Sequence, residues 1–147
     1  MHYLDLGLYK YQVEYTHELL KEWCSSDGII EFDNRLASIP RFPELKLFKN
    51  GLGNIKRFTA EEFRAMMHQL LFVVDGIITA LHKPIYTANQ AKVMDKKLVQ
   101  LYVDWNQMYI FFRKEKFTES NLKTFKVNSI IKFSIHYKFI THAVYLL

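Results

Sequence analysis

Arg41, Lys46, Lys49, Lys56 and Arg57 crowd into one short stretch, IPRFPELKLFKNGLGNIKRFTAEEF, residues 39–63. Phe42, Phe48, Phe58 and Asn50 are interleaved with them, and Gly51 and Gly53 sit in their midst. These residue types fit one kind of chemistry. Lys, Arg, Asn and free amides in a glycine-bearing turn all hold phosphate oxygens. The five cations are therefore the candidate DNA-binding residues. The phenyl rings have two uses: stacking on bases, or pinning an irregular segment to a core. The competing reading of the charges is a solvated basic face. Strong salt-dependent binding to DNA calls for more phosphate contacts than a few scattered cations provide.

Other chemistries find less support. The six histidines are His2, His17, His68, His82, His136 and His142. Zinc sites need three or four clustered ligands, and only His136 and His142 lie close together, so no metal site is expected. His68 reads as structural. The single cysteine, Cys24, excludes an internal disulfide and a CxxC site. It reads as a buried thiol in a reducing compartment, nucleus or cytoplasm. Asp75 lies inside an apolar run and is either a perturbed acid or the partner of an Arg or Lys on a neighbouring helix. Asp104 should face water. No GxSxG, P-loop or HExxH pattern occurs. No catalytic residue, cofactor or small-molecule substrate is expected.

Bulk composition agrees with that restraint. The chain has 147 residues, one domain by length, and half are apolar, enough for a core without disulfides or metal. A formal charge of +5 suits a polyanion without proving one. The N-terminal residues are polar and aromatic, unlike a secretory signal. The apolar run LLFVVDGIITAL, residues 70–81, is about half the ~20 residues a membrane span needs. It reads as a core helix, and no membrane partner is expected.

Several helices must position the basic stretch. Leu4, Leu8, Tyr11, Tyr15, Leu19 and Trp23 recur at helical spacing and predict one buried face over residues 4–23. SSDG (25–28) stops that helix, and a shorter one follows to about Ser38 before Pro40 and Pro43. One helical turn is expected within LKLFKN (45–50). Thr59 and Glu62 form a capping box, with Phe58 stapled to Phe63. The apolar set Phe63, Met66, Met67, Leu70, Leu71, Val74, Ile77, Ile78 and Leu81 predicts one central helix ending at Lys83-Pro84. Thr87 and Gln90 cap a helix over about 88–113, whose inner stripe is Val93 or Met94, Leu98, Leu101, Tyr102, Trp105, Met108, Tyr109 and Phe112. Thr118 caps a short helix carrying Leu122 and Phe125. Beyond it, Ile131, Phe133, Ile135, Tyr137 and Phe139 alternate with polar residues, a strand pattern with no partner strand. The expected fold is mostly α, a bundle of about five helices, with a C-terminal tail that is β or disordered.

Three blocks carry a family resemblance. MHYLDLGLYKYQVEYTHELL resembles the His-x-x-Asp-Leu-Gly stretch of Plavaka-type transposases, a fungal branch related to the CACTA cut-and-paste transposons; His2, Asp5 and Gly7 match. Arg41, Phe42, Pro43, Leu45 and Lys46 match that family's Arg-Phe-Pro-Gly-Leu-Lys block, with Glu44 in place of Gly. Trp105, Asn106, Met108 and Tyr109 match its Trp-Asn-Glu-Met-Tyr block, with Gln107 in place of Glu. The blocks occur in the family's order over about residues 1–126.

The resemblance implies the helical segment inserted in an RNase H-like core, where acidic residues hold two Mg²⁺ ions for work on DNA. The first of those acids would lie before Met1 and the last beyond the matched region. The resemblance thus implies a catalytically inactive, truncated transposase fragment, retaining weak DNA binding. Residues 127–147 match nothing in the family and read as out-of-frame or intron-derived sequence. The rival class is a protein-interaction module that joins itself or a full-length transposase. A decaying reading frame without function is the third.

Overall fold

The computed structural model describes residues 7–53, 55–116, 118–121 and 123. It is mostly helical, with no strand among the described residues. In order come α1 (Lys10–Ala37), a 3₁₀ turn (Ile55–Arg57), α2 (Ala60–Met67), α3 (Leu70–Val74), α4 (Ile77–Leu81) and α5 (Ala88–Phe112). The chain divides into two compact units, Met1–Tyr102 and Val103–Leu147. The tail alternation, Leu122 and Phe125 lie outside the described residues, as does the expected boundary near residue 126.

In the first unit α1 packs against α3 and α4. A single π turn at residues 7–9 leads into α1. The buried face of α1 keeps Leu19 of the one the spacing predicts but is turned away from its two tyrosines. Tyr11 and Tyr15 are 56% and 42% exposed, whereas Tyr9, Val13, Leu20 and Cys24 are buried. Both sets recur at helical spacing. The winning face also buries Gln12 and Thr16, polar residues that disguise it in the sequence. Thr16 resolves its own polarity: its hydroxyl donates to the Gln12 carbonyl at 2.9 Å and lies 2.9 Å from the Tyr102 hydroxyl on α5.

The expected stop at SSDG becomes a kink. Ser25 takes φ 59, ψ −151 inside an otherwise continuous α1, a region that is essentially glycine's. At this break the Trp23 carbonyl accepts the Lys83 amide at 2.7 Å. The Trp23 ring stacks on Tyr86 at 3.9 Å, and the Tyr86 hydroxyl donates to Glu22 at 3.0 Å. The loop after α4 is thus strapped to the bend in α1.

The single central helix expected over 59–81 is three short helices. The capping box is present as predicted: Glu62 N–H donates to Thr59 Oγ1 at 3.3 Å, and Thr59 N–H donates to Glu62 Oε2 at 2.6 Å. The chain then breaks at His68–Gln69, and again where Asp75 is extended and Gly76 turns left-handed (φ 71). Glycine takes that conformation without the side-chain clash other residues suffer. The apolar run survives as core, since Leu70, Val73, Val74, Ile77 and Ile78 are all buried. Each such fully buried side chain stabilises by about 1.5–3 kcal/mol. No single helix among the described residues is long and apolar enough to cross a membrane.

α5 begins at its capping box, with Thr87 N–H donating to Gln90 Oε1 at 2.8 Å. Ala91, Asp95, Leu98 and Tyr102 line its buried stripe. Val93 is 46% exposed, so the stripe passes nearer Met94. Tyr9 sets its ring edge-on to both Phe63 and Tyr102, at 6.3 and 6.5 Å. This cluster joins the π turn, α2 and α5.

In the second unit Trp105 and Tyr109 are buried on α5, and Phe112 is 41% exposed rather than inner. Thr118 accepts the Asn121 amide at 3.2 Å, the expected cap of a short helical turn.

Candidate nucleic-acid interface

Between α1 and α2 the chain carries the basic stretch, and a few specific contacts fix its path. Pro40 and Pro43 prevent α1 from continuing. Phe42 to Leu45 form a turn closed by the Leu45 amide on the Phe42 carbonyl, 3.1 Å. Pro43 supplies the fixed φ of the second position. Glu44 sits in the third at φ 67, where a turn of this kind favours Gly or Asn.

Further along, buried Gln69 donates its side-chain amide to the Lys46 carbonyl at 2.7 Å. Phe48 is 5% exposed and lies 5.5 Å from Phe58, which meets Phe63 at 6.0 Å. Asp33 of α1 accepts the Leu52 amide at 2.9 Å. That approach needs Gly51: its φ is +55, and an added Cβ would run into the Asp33 carboxyl. No helical turn forms at residues 45–50; the regular turn lies at Ile55–Arg57. Hydrogen-bonded turns follow instead from Phe48 to Gly51 and from Leu52 to Ile55.

The cations fare differently from one another. Lys46 sits 2.7 Å from Glu62 Oε1. The Lys46 ammonium, and then the Thr59 amide, hold the Glu62 carboxyl below its ordinary value. Lys46 is thus engaged with the cap of α2. Arg41, Lys49, Lys56 and Arg57 are exposed, and among the described residues none of them makes an ion pair or hydrogen bond through its side chain. The rings also divide. Phe48 and Phe58 anchor the stretch, whereas Phe42 is 74% exposed.

Of the family-block residues, His2 and Asp5 lie outside the described residues. Gly7 lies in the π turn, Trp105 is buried and Asn106 half-buried. Within the first unit Tyr9, two residues beyond Gly7, meets Phe63 at the end of the stretch 39–63.

The buried acid is not the one the sequence suggests. Asp75 is exposed, and only its carbonyl is used: Arg35 of α1 donates to it at 2.6 Å and to the Val73 carbonyl at 3.3 Å. Arg35 thereby caps the C-terminus of α3. Asp95 of α5 is 6% exposed and accepts the amides of Ile78 at 3.0 Å and Thr79 at 2.6 Å. It caps α4, whose own N-cap, Gly76, has no side chain. Nothing local marks Asp95, which stands in the charged run MDKK. Between α4 and α5 lies an open groove of about 590 Å³, edged by Asp75, Thr79, Lys92 and Lys96.

Cys24 is buried and free. Burial, then the Asp95 charge, push its thiol up to about 11, against a weaker opposing pull from Lys83. His68 is exposed at the end of α2. Among the described residues no group of His, Cys, Asp and Glu is arranged to hold a metal ion. No family model, curated protein or solved structure matches the chain.

Proposed function

We propose that the chain is a non-catalytic piece of Plavaka-like transposase machinery whose basic stretch, residues 39–58, touches the DNA backbone without reading base sequence. The observation that carries this reading is the set Arg41, Lys49, Lys56 and Arg57. All are exposed and free of ion pairs among the described residues, on a segment pinned by Gln69, Asp33 and Phe48. Pinned cations give up less conformational freedom on meeting phosphate than cations on a loose chain. The order of the three sequence blocks supplies the transposase half of the proposal.

Fluorescence anisotropy with a short duplex tests it. With four phosphate contacts the affinity falls roughly 100-fold between about 50 and 200 mM salt. Lys56→Ala or Arg57→Ala lowers the logarithmic salt slope by about 0.9 each, alike for unrelated sequences. Absence of binding at low salt sinks the proposal. Magnesium-dependent nicking by the purified chain would remove its non-catalytic half.

Phe72 and Ile85 are 74% and 75% exposed, which favours a second reading, a surface for another protein. Co-purification with an intact transposase, lost in Phe72→Ser, would support it.

A further inference from the structure

The basic stretch holds its aromatic rings in two ways, and the contrast is informative. Phe48 and Phe58 are drawn inward onto Phe63. Phe42 opens the Phe42–Leu45 turn, 74% exposed, with exposed Arg41 beside it in sequence. The turn is stiff. The Leu45 amide closes it at 3.1 Å, Pro43 fixes one dihedral angle, and Lys46 just beyond is held from both sides, by Gln69 through its carbonyl and by Glu62 through its ammonium. An apolar ring carried to water on a fixed backbone, beside an unpaired guanidinium, is complementary to an unpaired nucleobase and its flanking phosphate. Every base has a face for stacking, so this contact tolerates any sequence.

We infer that Phe42 is a base-stacking residue and that the basic stretch prefers DNA with unpaired bases over continuous duplex. The inference rests on the proposed backbone contact. Arg41 then takes a phosphate next to the stacked base, while Lys49, Lys56 and Arg57 hold DNA of either kind.

The test compares a blunt duplex with the same duplex carrying a short single-stranded tail, by anisotropy at low salt. The wild-type chain should bind the tailed DNA roughly 10-fold more tightly, the worth of about one stacked base. Phe42→Ala should abolish the difference and leave blunt-duplex affinity unchanged. Phe42→Trp should keep it. Phe42 is 74% exposed, so both variants should retain wild-type helicity by circular dichroism. Equal wild-type affinity for the two DNAs, or a preference that survives Phe42→Ala, overturns the inference while the backbone contact stands. Equal loss on both DNAs in Phe42→Ala overturns it too. Failure to bind either DNA removes both.

Discussion

Replacing Asp95 should cost more stability than replacing any other acid in the first unit. Its two oxygens take the Ile78 and Thr79 amides at 3.0 and 2.6 Å, and it is 6% exposed. Hydrogen bonds to a charged partner are worth about 1.5–3 kcal/mol each. The two are not additive, because Thr79 is exposed and its freed amide can meet water. Asp95→Ala should therefore destabilise by about 3 kcal/mol. Asp95→Asn keeps the shape and one acceptor and should cost about half that, since the carboxylate also favours the positive end of α4. In urea unfolding the Ala variant should lower the midpoint by about 1.5 M with the slope unchanged. Asp75→Ala is the control. That side chain is exposed and only its carbonyl is used, so the change should stay within about 0.5 kcal/mol. An Asp95→Ala variant as stable as the Asp75→Ala control would refute the capping role.

Gly51→Ala should destabilise by about 2–4 kcal/mol in the same assay, because the left-handed backbone and the collision with Asp33 act together. Ser25→Gly and Glu44→Gly relieve left-handed backbone at φ 59 and φ 67; each should raise stability by about 0.5–1 kcal/mol, read as a higher melting temperature. Alkali should destabilise the fold. Burial raises the Cys24 thiol from 9.0 to about 11, and burial also raises Tyr9 and Tyr102 above 10.0. The unfolded chain sheds these protons first, so stability is whole below pH 9 and falls as pH climbs toward 11. Melting temperatures taken from pH 8 upward should show the fall, and Cys24→Ala should make it shallower.

Local grammar was legible where both partners of a contact lie within one turn of each other. Both capping boxes and the Phe58–Phe63 staple read directly from TAEEF and TANQ. Periodicity correctly marked helices and the core run at 70–81. On α1 it placed Leu19 but misplaced Tyr11 and Tyr15, because two faces recur at the same spacing and these tyrosines look more apolar than the Gln12 and Thr16 that are buried. The pair Asp75-Gly76 was visible, yet the apolar residues on both sides masked the break. The contacts made by Arg35, Asp33 and Asp95 bridge residues far apart in the chain, and no window of sequence contains both ends. For the basic stretch, composition named the cations. Only the structure separates Lys46, engaged by Glu62, from the four that are free among the described residues, and Phe42 from its inward neighbours.

The short helices α3 and α4 borrow their ends. Arg35 closes one and Asp95 opens the other, and each borrowed group belongs to a long helix on the opposite side of the sequence. Five-residue helices lack the length to persist alone in water. A peptide spanning residues 69–82 should therefore be a coil when excised. In the whole chain, amide protons of α3 and α4 should exchange with deuterium only through openings that also loosen α1 or α5. The middle of the molecule has no independent life: it melts when its flanks melt, as one cooperative block.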